Sequence, residues 1–285
     1  MFTNVQFYTH SEKETNEDAY GITDTAIFVL DGATGLSKKE YMHPQSDAFW
    51  LVKEIHTALL NHWDPCDSPI TILKETQKQL SLRYHQVADQ QISSAEMPSA
   101  CIAMFYEHQD EIHFFGMGDC YGIIELTNGE TKVFSDPVLE KLDHAALEQM
   151  KKVSNEKQIP FLEARKYIQQ QLLDNRMMRN KPNGYHALDL EWSNFEEIPI
   201  HRWKKKDVKR LLCASDGFYE IMHYNIIQDP KELLDHLSAH SEELIQQLFH
   251  AQEADAQAIL CPRFKLRDDC TFVYVEVNCT NNTYS

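Results

Sequence analysis

Five aspartates stand where a strand gives way to a turn: Asp18, Asp31, Asp119, Asp216 and Asp268. Residues 26–30 are an apolar run of β-formers that stops at Asp31-Gly32, a turn signal. Residues 19–22 are a shorter strand candidate, and Asp24-Thr25 lies between the two. A turn centred on Asp24-Thr25 is equidistant in sequence from Asp18 and Asp31. The pattern therefore pairs these carboxylates at the open end of one antiparallel hairpin. Opposed like charges destabilise a sheet unless something positive lies between them. Asp119 falls in Gly116-Met117-Gly118-Asp119-Cys120, a glycine-rich turn between strands. Asp216 follows the apolar run 211–214 and precedes Gly217, and Asp268 opens the last strand, 271–277. No His or Cys accompanies them at ligand spacing. Oxygen-only ligands select hard cations, Mg²⁺ or Mn²⁺ over Zn²⁺. The glycine after Asp31 matters physically, because without a Cβ its carbonyl can approach a cation closely. Each carboxylate alone also reads as a strand-end aspartate in a turn, so the metal chemistry rests on the set.

The elements that must position these groups follow from hydrophobic period. Residues 2–8 alternate weakly. Phe49, Val52, His56, Leu59 and Trp63 recur at helical spacing within 47–63. After a break at 65–69, Ile70, Leu73, Gln77, Leu80, Tyr84 and Val87 mark a second amphipathic helix. Residues 100–106, 111–117, 121–126 and 130–134 read as consecutive strands, the last two joined by an Asn128-Gly129 hairpin turn. Helical patterns cover 138–153 and 161–178, with Pro160 suited to the first turn of the second. Asp229-Pro230 opens another helix and Ser241-Glu242-Glu243 the next. Helix pairs separated by runs of strands, without βαβ alternation, predict an α+β layered sandwich.

Composition narrows the function. A hydrophobic fraction of 42% in 285 residues supports a proper core. Asp and Glu outnumber Lys and Arg 44 to 27, for a net charge of −17. That balance argues against duplex nucleic acid or an anionic membrane as the main partner. No apolar run approaches the ~18 residues of a membrane span, and the N-terminus lacks a signal-peptide pattern, so the expected location is cytoplasmic. The seven cysteines include no CxxC pair, and Cys101 and Cys213 lie in apolar runs. They read as reduced, buried thiols and not as a disulfide framework or zinc site. The one basic run, His201 to Lys206 with Lys209 and Arg210, reads as a solvated loop and strand edge, with docking of acidic substrate flanks as the alternative. Cys261 and Arg267 have the cysteine-phosphatase spacing. Their loop contains Pro262 and no glycine, and leads into a strand, which opposes a backbone cradle for phosphate.

In chain order, the acidic motifs resemble those of the metal-dependent protein serine/threonine phosphatases of the 2C type, the PPM family. Asn16-Glu17-Asp18 resembles the first acidic motif, and Val29-Leu30-Asp31-Gly32-Ala33-Thr34-Gly35 the Asp-Gly-x-x-Gly motif. Gly118-Asp119-Cys120 resembles Gly-Asp-Ser, Ala214-Ser215-Asp216-Gly217-Phe218 the Ser-Asp-Gly strand end, and Asp268-Asp269-Cys270-Thr271 the final acidic pair. Each motif is weak alone; five in the family's order are specific. The resemblance implies a compact divergent member with one domain over residues 1–285. Its architecture would be a four-layer α-β-β-α sandwich with two central antiparallel sheets. It implies two divalent cations, Mn²⁺ or Mg²⁺, bridged by Asp31. Asp18 and the Gly32 carbonyl would serve one side, and Asp216 and Asp268 the other. Asp119, with Asp216, would serve a weaker third ion, and Glu17 would hold metal-bound water. The implied reaction is attack of a metal-bridging water on phosphoserine or phosphothreonine in a phosphoprotein, without a covalent enzyme intermediate. A monomer is the expected state.

Two positions depart from the family pattern. The family usually has a phosphate-binding Arg five residues before the first Asp; here it is Lys13, which supplies charge without a bidentate fork. The alternative for Lys13 is a solvated charge beside Glu12 and Glu14. Some relatives have a His after Asp-Gly as a general acid; here it is Ala33, which implies a slower enzyme or one preferring good leaving groups. Residues 139–182 form a helical, flap-like segment unlike the family's usual stretch. Within it, Arg176 and Arg179 are expected as surface charges near a helix C-terminus, with phosphate contact as the alternative. Two rival readings stand beside this one, the first motivated by Lys13 and Ala33 and the second not separable by sequence. One is a weak or inactive pseudophosphatase that binds a phosphoprotein or regulatory partner. The other is a small-molecule phosphatase.

Overall fold

The structure is a computed structural model and describes residues 2–36, 39–88, 92–191 and 194–278. Strand β1 (Phe2–His10) is followed by the hairpin of β2 (Asp18–Ile22) and β3 (Ala26–Ala33). Residues 26–30 are buried on both faces, as a strand between a helix layer and a second sheet must be. Helices α1 (Asp47–His62) and α2 (Pro69–Val87) start on Ser46 and Ser68, whose hydroxyls accept from the amides of Phe49 and Ile70. Strands β4 (Ser99–His108), β5 (Glu111–Met117), β6 (Tyr121–Leu126) and β7 (Thr131–Phe134) follow. Helix α3 (Pro137–Lys157) has Pro137 in its first turn and Asp136 as its cap. Then come α4 (Gln169–Met177), β8 (His201–Lys204), β9 (Val208–Ala214), α5 (Asp216–His223), α6 (Pro230–Ala254) and β10 (Cys270–Val277).

Among the described residues, two five-stranded sheets form, ordered β2-β3-β4-β5-β8 and β1-β10-β9-β6-β7. Alternation assigns their layers. Ile27 and Val29 of β3 meet Leu211, Cys213, Val273 and Val275 of the other sheet in an inter-sheet core. Phe28 and Leu30, on the opposite face, pack on Leu51, Ile55 and Leu80 of α1 and α2. Leu212 and Phe272 turn outward onto Phe218, Leu234 and Leu248 of α5 and α6. The expected α+β sandwich of two central antiparallel sheets with helices on the outside is what forms. Full burial of each such aliphatic or aromatic side chain contributes roughly 1.5–3 kcal/mol.

Local boundaries differ from the sequence pattern where packing overrides it. The single helix expected over 161–178 divides into a 3₁₀ segment, Phe161–Tyr167, and α4, with Ile168 between them at φ −111 and ψ 19. Phe161 and Ala164 face Met150 and Val153 of α3 in a small separate core. Their three-residue spacing suits a 3₁₀ turn, which stacks i and i+3 on one side. Helix α6 runs past the expected start at Ser241, but His240 is non-helical (φ −143, ψ 42), so the chain kinks at that boundary. Asp216 continues into α5, a helix the sequence pattern does not announce. His201 to Lys204 form edge strand β8, as expected, but Lys209 and Arg210 lie in β9, an interior strand of the other sheet, and the last member does not stay solvated. Arg210 is buried and pairs with Glu125 and Asp235.

Candidate active site

Strand register carries the five aspartates to one end of the two sheets. Asp18 pairs with Asp31 across β2 and β3, the register expected from the sequence. Asp31 also pairs with Cys101 of β4, and the adjacent Ile102 pairs with Met117, so the turn holding Asp119 starts at the same end. In the other sheet, Ala214 at the end of β9 lies opposite both Phe272 of β10 and Tyr121 of β6. Asp216, Asp268 and Asp119 are each a few residues beyond these positions. Two close approaches tighten the cluster. A Cβ on Gly217 would lie 2.1 Å from the Asp269 carbonyl oxygen, so only glycine lets α5 press onto the 268–269 backbone. At position 32 a Cβ would lie 2.7 Å from the Glu17 carbonyl oxygen, which accepts the Gly32 amide at 3.0 Å.

The resulting cleft has a volume of about 480 Å³. Asp31, Gly32, Asp119, Asp216 and Asp268 line it, together with Lys13, Glu17, Asp143, Arg165, Arg176 and Lys265. Asp18 lies buried just behind Asp31. Burial, with Asp18, Asp216, Asp119 and Asp268 nearby, pushes the Asp31 carboxyl well above the usual carboxylate range. Asp216 is raised in the same way by burial, then by Asp119 and Asp268. Burial raises Asp18 to about 8, with Asp269 and Asp268 adding to the rise. Burial also raises Asp119. Asp268 is the exception. Burial would raise it, but the charge and hydrogen bond of Lys265, at 2.7 Å, hold it low.

These residues fit hard divalent cations. Both carboxylate oxygens of Asp18 are buried without a hydrogen-bond partner, and its neighbours are oxygen ligands of like charge. Among the described residues, no three His, Cys, Asp or Glu side chains yet close on one point as a finished metal site. The carboxylates line a cleft wall instead.

The approach to the cleft is organised by Asp269, which the sequence marks only as part of the final acidic motif. Its Oδ2 accepts from the Glu17 amide at 2.9 Å and from Lys13 Nζ at 3.2 Å, and its Oδ1 from Ser11 Oγ at 2.6 Å. Lys13 also donates to Glu17 Oε2 at 2.7 Å. Burial would lower the Lys13 pKa, but Glu17, Asp269 and Asp268 hold it above the ordinary lysine value. Burial would likewise raise Glu17, which hydrogen bonds from Lys13, Ser46 and Thr34 keep low. Lys13 thus lies at the cleft rim, ion-paired, with its side chain still 40% exposed.

The surface position expected for Arg176 and Arg179 is wrong. Arg179 is buried and pairs with Asp189 at 3.1 Å. Arg176 lines the cleft and donates from Nη2 to Ala33 O at 2.7 Å, Met97 O at 3.2 Å and Ser99 Oγ at 3.3 Å. Lys265 had a weak signal, a lysine three residues before Asp268, masked by the cysteine-phosphatase spacing around it. That spacing carries no site. Burial pushes the Cys261 thiol up to about 12, and Arg267 pairs with Glu12 and Glu253. The six cysteines among the described residues are unbonded and five are buried, in line with reduced thiols. Among the described residues, no helix is long and apolar enough to cross a membrane.

Two antiparallel sheets with helices on their outer faces and an acidic cleft at one edge define the 2C-type serine/threonine phosphatase fold. Solved structures bear this out. The Mycobacterium tuberculosis serine/threonine phosphatase PstP/Ppp superposes with a TM-score of 0.55 at 15% identity, over 98% of this chain and 100% of that one. The Staphylococcus aureus serine/threonine phosphatase Stp1 gives 0.54 at 12% identity, over 96% and 94%. The catalytic domain of PstP in complex with two manganese ions gives 0.51 at 14% identity, over 96% and 99%. No family model and no curated protein matches the chain.

Proposed function

We propose that this chain is a metal-dependent phosphomonoesterase that removes phosphate from phosphoserine or phosphothreonine in proteins. The observation that carries this reading is the gathering of Asp31, Asp119, Asp216 and Asp268 on one cleft wall, with Asp18 buried behind them and cationic side chains at the rim. Asp18, Asp31, Asp216, Asp268 and the Gly32 carbonyl would hold two divalent cations, manganese or magnesium, and Asp119 would serve a third. Bound cations neutralise an incoming phosphate and lower the pKa of a water. Glu17, kept ionised by its partners, would hold metal-bound water at the cleft. Lys13 and Lys265 reduce the anionic charge an incoming phosphate meets. Ala33 offers no proton to the leaving group, which favours substrates with good leaving groups.

Shape favours a protein substrate over a small metabolite. A second groove, about 710 Å³, shares Leu36, Arg165 and Leu172 with the cleft and leaves room for chain flanking a phosphorylated residue. The test is turnover of a phosphothreonine peptide, p-nitrophenyl phosphate and small sugar phosphates, each with Mn²⁺, with Mg²⁺ and with chelator. Metal-dependent turnover with kcat/KM highest for the peptide is expected. A preference for the small phosphoesters would overturn the protein-substrate reading. Metal binding without turnover of any substrate would establish a pseudophosphatase.

A further inference from the structure

We infer that Arg176 is the phosphate-binding guanidinium of this cleft and takes the role that the ion-paired Lys13 leaves open. This rests on the phosphatase reading above. Arg176 closes the last turn of α4, inside the flap-like segment. Its Nη2 is fixed across the paired ends of β3 and β4, on the carbonyl of Ala33 and the hydroxyl of Ser99, which are register partners. That anchor lies two residues from Asp31. The Nε–H is buried with no acceptor.

The charge of Arg176 has no carboxylate ion-pair partner among the described residues, whereas its neighbour Arg179 is neutralised by Asp189. A buried, unpaired cation is expensive to maintain unless an anion completes it. Burial lowers its pKa only to about 10, so the guanidinium stays charged at neutral pH. The tether holds a planar cation at the cleft wall, and its one unpartnered N–H suits a charge-assisted hydrogen bond to a phosphate. Lys13, by contrast, spends its ammonium on Glu17 and Asp269. The alternative is that Arg176 only ties the flap-like segment to the sheet.

The test titrates inorganic phosphate into the chain loaded with diamagnetic Mg²⁺, wild type beside Arg176→Lys and Arg176→Gln. Binding is read by calorimetry and, in the wild type, by the NMR resonance of the Arg176 Nε–H. The inference predicts an Nε–H shift that saturates with phosphate, and affinity weakened about tenfold or more in both variants. A tether alone predicts a lower Tm with unchanged phosphate affinity and an unmoved Nε–H, which would overturn the inference. The wild-type resonance decides the matter even if a variant fails to fold. Wild-type turnover with no Arg176 effect defeats this inference alone. Absence of both phosphate binding and turnover in the wild type defeats the phosphatase reading with it.

Discussion

Asp18 and Asp31 face each other across the β2–β3 pair, Asp18 buried and Asp31 on the cleft wall, both with carboxyls raised above their usual range. Folding brings these like charges together, so the metal-free chain carries a repulsion that a cation relieves. Adding Mn²⁺ to the chelator-treated chain is therefore predicted to raise Tm. Ligand at a hundred times its Kd stabilises by about 2.7 kcal/mol. For a chain of this size that corresponds to a shift of about 5 °C or more. Asp31→Asn should raise Tm in chelator and abolish the response to Mn²⁺. Equal melting with and without metal in the wild type would contradict this.

Gly217 is predicted to tolerate no side chain. Its missing Cβ leaves 2.1 Å to the Asp269 carbonyl oxygen, a backbone atom that cannot swing away. Gly217→Ala should destabilise by about 1–3 kcal/mol, as overpacking does, and should weaken Mn²⁺ binding by parting Asp216 from Asp268. Urea unfolding and a metal titration measure the two effects. An unperturbed variant would show that α5 does not set the distance between these carboxylates.

Cys261→Ser is predicted to leave phosphatase activity unchanged. The thiol is buried and protonated at neutral pH, and Arg267 is engaged by two glutamates at some remove from it. Thiol-alkylating reagents should likewise fail to inactivate the chain through this residue. A Cys261→Ser variant that folds but loses turnover would revive cysteine chemistry.

Acid stability should depend on Asp255. Burial alone would raise its pKa. The amides of Cys261, Leu260 and Ile259 and the Arg263 guanidinium hold it down to about 2 instead. A carboxyl lowered on folding stabilises fully above its unfolded pKa of about 3.9 and loses that contribution as pH falls towards 2. Asp255→Asn should therefore cost about 2 kcal/mol at pH 6, and the gap to wild type should narrow by pH 2.5. Urea midpoints at the two pH values test this. A gap independent of pH would assign the effect to packing.

Much of this was legible in the sequence because it is local. The β2–β3 register follows from one turn position, and the sandwich from strands and helices arriving in blocks. The helix break at His240 was signalled by the Ser241-Glu242-Glu243 cap pattern. What escaped depends on contacts far apart in the chain. Arg176 meets Ala33 across 143 residues, and Lys13 meets Asp269 across 256. Hydrophobic period cannot register an arginine that leaves its helix to bond a distant carbonyl. Nor could it place Arg210 inward, because its partners Glu125 and Asp235 come from separate elements. The 3₁₀ segment escaped because its apolar spacing is compatible with either helix until α3 packs against it.

The central claim is that the gathered aspartates hold the cations that drive phosphate hydrolysis. The most direct test is turnover of a phosphothreonine peptide as a function of Mn²⁺, wild type beside Asp216→Asn, with Mn²⁺ binding measured on the same samples. Saturable, metal-dependent turnover in the wild type is predicted, with a loss of about a hundredfold or more in Asp216→Asn and weaker metal binding. A wild-type chain that binds no Mn²⁺, or an Asp216→Asn variant that turns over as fast as wild type, would contradict the account.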